Sequence, residues 1–252
     1  MLFRSERRDL LVARLRRDGK LVARDLGAEL GLSEDSVRRD LRELAAAGLC
    51  QRVYGGALPV SPALGTLKAR TEIAPESKRR IATRAAEMIT SGMTAILDSG
   101  TTAIEIARAL RPDLSATIIT HSPTTAAALA EHPTVDVFIL GGRLFKHSVA
   151  ACGAAAAEAA AAVSADLYFL GLGGIHPKEG LTTGDPDEAA MKRMLVSRAA
   201  DTYVVGSTEK LGAVCSYQVV RLSETAGVIT DAPGDHTTVS QLRAQGVAVI
   251  QA

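Results

Sequence analysis

The sequence predicts an α/β protein in two parts, an N-terminal winged helix-turn-helix and a C-terminal domain on a mostly parallel sheet. Three observations carry this. Residues 1–57 hold three short helical patterns, a tight glycine turn before the third, and a hairpin after it. Residues 77–252 alternate apolar, β-branched runs with helices, which implies a sheet covered on both faces. Residues 58–76 carry prolines, a glycine and little apolar periodicity, and read as a linker.

In order, Ser5 is expected to cap a helix over Glu6–Arg17, with Leu10, Leu11 and Leu15 on one face and Asp18-Gly19 ending it. Leu21-Val22 is a short extended step, and Ala23–Leu30 a second helix with Leu26 and Leu30 inward. Gly31-Leu32 makes the turn. Ser33 caps a third helix over Glu34–Ala46, whose Val37, Leu41 and Leu44 form one apolar stripe, and Gly48 closes it. Leu49–Val53, Tyr54-Gly55-Gly56 and Ala57-Leu58 form the hairpin.

The second part begins with a helix over Ser77–Ile89 and a strand over Thr94–Leu97. The loop Asp98–Thr102 leads to a helix over Ala103–Leu110. Strand Ala116–Thr120, helix Pro123–Glu131 and strand Val135–Leu140 follow. Then come helix Gly153–Val163, strand Asp166–Leu170, helix Asp187–Ala200, strands Thr202–Val205 and Gly227–Thr230, and a final helix–strand pair ending at Val249.

Composition bounds the function. The 252 residues are 47% hydrophobic and 23% charged, as in a soluble globular protein, and with no Trp and 3% aromatics the core must be aliphatic. The net charge of +1 conceals an asymmetry: residues 1–56 carry twelve Arg/Lys against nine Asp/Glu, the remainder seventeen against nineteen. A basic module on a slightly acidic body suits one part touching phosphates. Cys50, Cys152 and Cys215 are widely spaced and form no metal-ligand or CxxC pattern, so a reducing compartment and no metal are expected. The charged start Arg4–Arg8 is unlike a signal peptide, and Ala154–Val163 is too short to span a bilayer. A cytoplasmic protein with no membrane contact and no cofactor is expected.

Burying the stripe of the third helix leaves Ser36, Arg38, Arg39 and Arg42 on open flanks. An Arg fork fits guanine O6/N7 or a phosphate, and the helix start with Ser33 can hold a phosphate oxygen. Lys20 and Arg52 would reach the DNA backbone, and Tyr54 before Gly55-Gly56 lets the wing lie close. In the second part, Asp98-Ser99-Gly100-Thr101-Thr102 joins a buried strand to a helix start, where free amides and Thr hydroxyls favour an anion. Thr120-His121-Ser122, Gly141-Gly142-Arg143, Gly171–Gly174 and Ser207–Lys210 lie at other strand ends, where open α/β sheets bind ligands. The expected effector residues are Asp98, Ser99, Gly100, Thr101, Thr102, Thr120, His121, Ser122, Gly142, Arg143, Gly173, Gly174 and Lys210, with Arg143 and Lys210 as the cations.

Both halves resemble the DeoR family of bacterial regulators, of the deoxyribose-operon-repressor type. In the first half the matching residues are Asp25-Leu26, Leu32-Ser33, Ser36–Leu41, Leu44, Gly48 and Arg52–Ala57. In the second they are Asp98–Thr102, Thr120–Ser122, Gly141-Gly142, Asp166, Gly171–Gly174, Gly180–Thr182, Glu188-Ala189, Lys192 and Lys210–Gly212. The resemblance implies recognition-helix roles for Ser36, Arg38 and Arg39, and a sensor domain similar to the ribose-5-phosphate isomerase and CoA-transferase-like fold. It further implies a repressor of a carbohydrate operon, released from double-stranded operator DNA by a phosphorylated sugar or polyol, and assembling as a homodimer or homotetramer. Tyr54 stands where the family often has His, His121 where it has Asn, and Ser207 where it has Asp. Two other readings are an isomerase-like enzyme and a constitutive DNA binder whose second domain only oligomerises. An isomerase needs a carboxylate base in the pocket, and Gly171–Gly174 supplies none; no catalytic residue is expected. Asp187 and Glu188 read as helix-capping residues.

Overall fold

The computed structural model describes residues 4–61 and 65–252. The first unit holds α1 (Arg4–Asp18), β1 (Leu21–Val22), α2 (Ala23–Leu30), α3 (Glu34–Ala46), β2 (Gln51–Val53) and β3 (Gly56–Leu58). Ser5 lies within α1 rather than capping it. Leu11, Leu15, Leu26, Val37, Leu41 and Leu44 meet Cys50 and Ala57 in one core. Gly31, at φ 63°, ends α2, and the Ser33 hydroxyl accepts from the Ser36 amide at 3.2 Å to start α3. An Arg7–Asp40 fork, at 2.5 and 3.0 Å, ties α1 to α3. The strands form a β1–β3–β2 sheet, in which β3 passes so close to β1 that a Cβ at Gly56 would lie 1.8 Å from the Leu21 carbonyl.

Next come α4 (Leu67–Thr71), α5 (Pro75–Ala86), β4 (Thr94–Leu97), α6 (Thr101–Ala109), β5 (Thr117–Thr120), α7 (Pro123–Leu129) and β6 (Asp136–Ile139). A hairpin, β7 (Arg143–Phe145) and β8 (Ala150–Cys152), precedes α8 (Ala154–Ala161) and β9 (Ala165–Gly171). There follow β10 (Gly174–His176), β11 (Gly180–Thr183), α9 (Pro186–Val196), β12 (Ala199–Val205), β13 (Tyr217–Gln218), β14 (Gly227–Thr230), α10 (Thr237–Ala244) and β15 (Val249–Gln251).

Seven strands form one parallel sheet in the order β15–β14–β12–β9–β4–β5–β6. Alternate residues feed two cores. Ile96, Tyr168, Leu170, Val204 and Val228 pack under α8, α9 and α10, while Ala95, Leu97, Phe169, Val205 and Ile229 pack under α5 and α6. The chain runs outward from β4 through β5 and β6, then returns to the other side of β4 as β9. The order in which strands are added therefore reverses between β4 and β9, and a crevice opens at their carboxyl ends.

Three features differ from expectation. The segment read as an unstructured linker contains α4, capped by the Thr66 hydroxyl; residues 62–64 of it lie outside the described residues. The helix expected over Asp187–Ala200 stops at Val196, and Ala199 is already paired with Ala165 in the sheet. Alanine favours helix, but sheet pairing overrides so weak a preference. The β7–β8 hairpin and the β10–β11–β13 sheet have strands of two to four residues, too short to show a period in sequence.

Candidate functional site

On the first unit, burial of Val37, Leu41 and Leu44 turns the other flanks of α3 outward. Arg38, Arg39 and Arg42 are exposed, as are Lys20 and Arg52. Tyr54 at the wing tip projects fully into solvent. Arg38, Arg52, Tyr54, Gly55 and Gly56 border one shallow groove, so helix and wing present a common face. Ser33 and Ser36 share a 2.9 Å hydroxyl contact at the start of α3, and Arg38 rests against Glu34 at 2.6 Å.

At the β4–β9 crevice lies a cavity of about 230 Å3. Ser99, Gly100, Thr101 and Thr102 form one wall as α6 begins, and Gly171, Leu172 and Gly173 at the end of β9 form another. Thr183 at the end of β11, Asp185, Glu188 and Lys192 of α9, and Glu209 and Lys210 after β12 also line it, with Phe145, His147 and Ser148 from the hairpin. Arg70 of α4 and Lys78 of α5 also line it. Four cations and three carboxylates therefore surround a small space.

Several polar groups there are unmet. The Thr102 and Ser148 hydroxyls, and Nε and Nη2 of Arg70, are buried without a partner among the described residues. Buried donors are normally satisfied, so such a cluster facing a cavity marks a place for a polar ligand. Burial brings the Lys210 ammonium down to about 8; Arg70, Lys78 and Lys192 push the same way, and Glu209 opposes them. An anion would relieve this crowd of positive charge.

The sequence-derived effector residues divide in two. Ser99, Gly100, Thr101, Thr102, Gly173 and Lys210 line the cavity. Asp98, Thr120, His121, Ser122, Gly142, Arg143 and Gly174 do not, and each has a structural reason. Asp98 is wholly buried and accepts from the Ser99 amide at 2.7 Å, the Gly171 amide at 2.8 Å and Lys192 Nζ at 2.6 Å. Burial alone would raise its pKa; Lys192, His121 and the Ser99 amide hold it below the usual carboxylate range. It ties β4 to β9 and leaves its neighbours to face the cavity.

His121 Nε2 lies 3.3 Å from Asp98 Oδ1 under the cavity floor. Burial pulls its pKa down to about 4 despite Asp98, so it is neutral near pH 7. Thr120 Oγ1 accepts from the Ser122 amide, and Ser122 caps α7 through the Thr125 amide. Gly142 packs on Ala156, and Gly174 passes against the Ala213 carbonyl. Arg143 is exposed and pairs with Asp187 at 2.8 Å. Asp185, not Asp187 or Glu188, caps α9 by accepting from both of their amides.

Sequence reasoning missed Arg70, Lys78, Phe145, His147 and Ser148. Arg70 falls in the segment read as linker, and residues 144–152 show no periodicity that assigns them an element. Lys192 and Glu188 belonged to the family pattern but were given no site.

Two family models match the chain: a DeoR-like helix-turn-helix domain over residues 7–63 and a DeoR C terminal sensor domain over residues 73–232. The chain belongs to the DeoR family. This DeoR-family protein is a helix-turn-helix transcriptional regulator with a sensor domain. It is 36% identical over 235 residues to the HTH-type transcriptional regulator GlpR of Haloferax volcanii, covering 92% of this chain and 91% of that protein. It is 29% identical to the HTH-type transcriptional repressor CsqR of Escherichia coli K12 (97% and 94% covered). It is 28% identical to the Glycerol-3-phosphate regulon repressor of the same strain (91% of each). A ribose 5-phosphate isomerase A from Methanocaldococcus jannaschii aligns over 54% of each chain at 16% identity, with a TM-score of 0.41. No helix among the described residues is long and apolar enough to cross a membrane.

Proposed function

We propose that this DeoR-family regulator is a repressor of a carbohydrate-metabolism operon that releases its operator when a phosphorylated sugar or polyol fills the β4–β9 cavity. In this reading residues 1–57 bind DNA, 58–76 connect, and 77–252 sense the effector and assemble a homodimer or homotetramer in the cytoplasm. Arg38, Arg39 and Ser36 read the major groove. Ser33, Arg42, Lys20, Arg52 and Tyr54 hold phosphates.

The observation that carries the effector reading is the unmet cluster in the cavity: Thr102 Oγ1, Ser148 Oγ and the Arg70 fork, beside Lys210 and the start of α6. These groups suit a phosphoryl group. Asp185, Glu188, Glu209 and Thr183 suit sugar hydroxyls, and Phe145 offers an apolar wall. Catalysis is not part of the reading, because Gly171–Gly174 at the end of β9 carries no carboxylate. Asp98 is buried and saturated by the Ser99 and Gly171 amides and the Lys192 ammonium.

The test is a melting-temperature screen of phosphorylated sugars and polyols against their unphosphorylated parents, followed by a mobility shift on DNA. A ligand that binds only the folded state must raise its stability. The reading expects stabilisation by one or more phosphorylated compounds, and weaker DNA binding in the presence of the same compounds. Equal response to the parents, or none at all, refutes it.

A further inference from the structure

The connector between the two domains is pinned to the walls of the cavity. The Ser61 hydroxyl donates to the carbonyl of Gly173, a cavity residue, and Val60 bridges Val214. Past residues 62–64, the Leu67 amide donates to the carbonyl of His147 at 3.1 Å, and His147 also lines the cavity. One turn later α4 delivers Arg70 into the cavity itself. The Arg70 carbonyl receives the Lys78 ammonium, which fixes the backbone at this point.

The side chain of Arg70 is unusual. Its Nη1 stands over the first turn of α6, 3.5 Å from where a Cβ on Gly100 would lie. Nε and Nη2 are buried without a partner among the described residues. Burial lowers the guanidinium's pKa, and Glu188 and Asp98 oppose this only from a distance. A buried guanidinium with an empty fork is costly unless something fills it. The fork's planar geometry fits two oxygens of one tetrahedral anion, which an ammonium cannot match.

Resting on the effector reading above, we propose that Arg70 is the transducer of this regulator: the phosphoryl group of the effector fills its fork, and α4 is thereby locked onto the sensor domain. Because α4 is the first element after β3 of the wing in the chain and itself lines the cavity, locking it restricts where the DNA-binding unit can stand. Two winged helices must meet half-sites at a fixed separation, so such a restriction changes DNA affinity. The anion need touch nothing in the first unit. Coupling passes through a segment that belongs to neither folded core.

The experiment uses the full chain, inorganic phosphate as the probe, and a duplex selected by the chain itself from a random pool. Hydrogen exchange is followed in residues 66–72 and 99–102, and DNA affinity is measured with and without saturating phosphate. In the wild type, phosphate should slow exchange several-fold in both segments and weaken DNA binding. Arg70→Lys keeps the charge and loses the fork. It should bind phosphate at least about tenfold more weakly, and at saturation change neither α4 exchange nor DNA affinity. Lys68→Ala, on the exposed side of α4, should behave as wild type.

Protection of 99–102 without protection of 66–72 in the wild type overturns the proposal and leaves the effector reading standing. So does an Arg70→Lys protein that responds on DNA like the wild type at saturation, or a wild type whose DNA affinity ignores phosphate. No protection anywhere with phosphate, together with no rise in melting temperature with any phosphorylated sugar or polyol, removes the effector reading, and Arg70 with it.

Discussion

At the scale of single residues, three ionisable groups set measurable behaviour. Lys210 carries the cavity's most adjustable charge. With its pKa brought down to about 8, it is mostly protonated at pH 7 and mostly neutral at pH 9. An anionic effector binds the ammonium form, so affinity should fall as pH rises through 8, by roughly tenfold per unit once the amine is neutral. Titration of binding between pH 6.5 and 9.5 checks this, and a flat profile would remove Lys210 from the site. His121 acts on stability instead. Its folded pKa of about 4 lies below the usual 6.5. Between those values the unfolded chain binds a proton that the folded chain refuses, so stability should drop as pH falls from 6.5 to 4. His121→Asn has nothing to titrate there, and denaturant melts at pH 7 and 4.5 should differ less than in the wild type. Among the described residues Arg38 is held by the exposed Glu34 pair, a contact worth little. Arg38→Ala should therefore leave folding unchanged yet cost about 1–3 kcal/mol in DNA binding and relax preference at one base position; an unaltered footprint and affinity would exclude it from recognition.

At the scale of elements, the wing shows how one missing side chain permits a contact. Gly56 lets β3 lie against β1, and a Cβ there would overlap the Leu21 carbonyl. The partner is backbone and cannot swing aside, so Gly56→Ala must part the strands. Heating followed by circular dichroism should show the first unit losing structure well before the second, and a mobility shift should show DNA binding lost. A single transition at the wild-type temperature would contradict this. The strand–helix junction at Asp98–Thr102 follows the same logic in reverse. Asp98 spends its oxygens on Ser99, Gly171 and Lys192, which stiffens the junction and leaves the amides that follow facing the cavity.

At the scale of the whole molecule, two units of different charge share one connector, and that connector forms part of the cavity. Effector and operator must then affect each other equally, because a coupling free energy is reciprocal. If an effector weakens operator binding by a given factor, saturating operator should weaken effector binding by the same factor, as calorimetry with and without the duplex would show. An effector whose affinity ignores DNA would mean that the two units act independently.

The sequence by itself determined the helix order of the first unit, the Val37–Leu41–Leu44 stripe, the exposed arginines beside it and the parallel strand–helix alternation. Periodicity and capping are local, and local signals survive in a linear string. It also placed Thr101, Thr102 and Lys210 near one another, because strand ends in such sheets converge. Only the tertiary structure decided which polar residues face the cavity and which support it from below. Asp98 and His121 look like ligand residues in the string, yet both are buried and support the cavity from beneath, Asp98 through the Lys192 ammonium. Arg70 looks like linker, yet a short helix, the Leu67–His147 backbone hydrogen bond and the Lys78 ammonium on its carbonyl bring it into the cavity. Which way a side chain points, and what already occupies its hydrogen-bonding positions, depends on residues far away in sequence, and no local pattern records that.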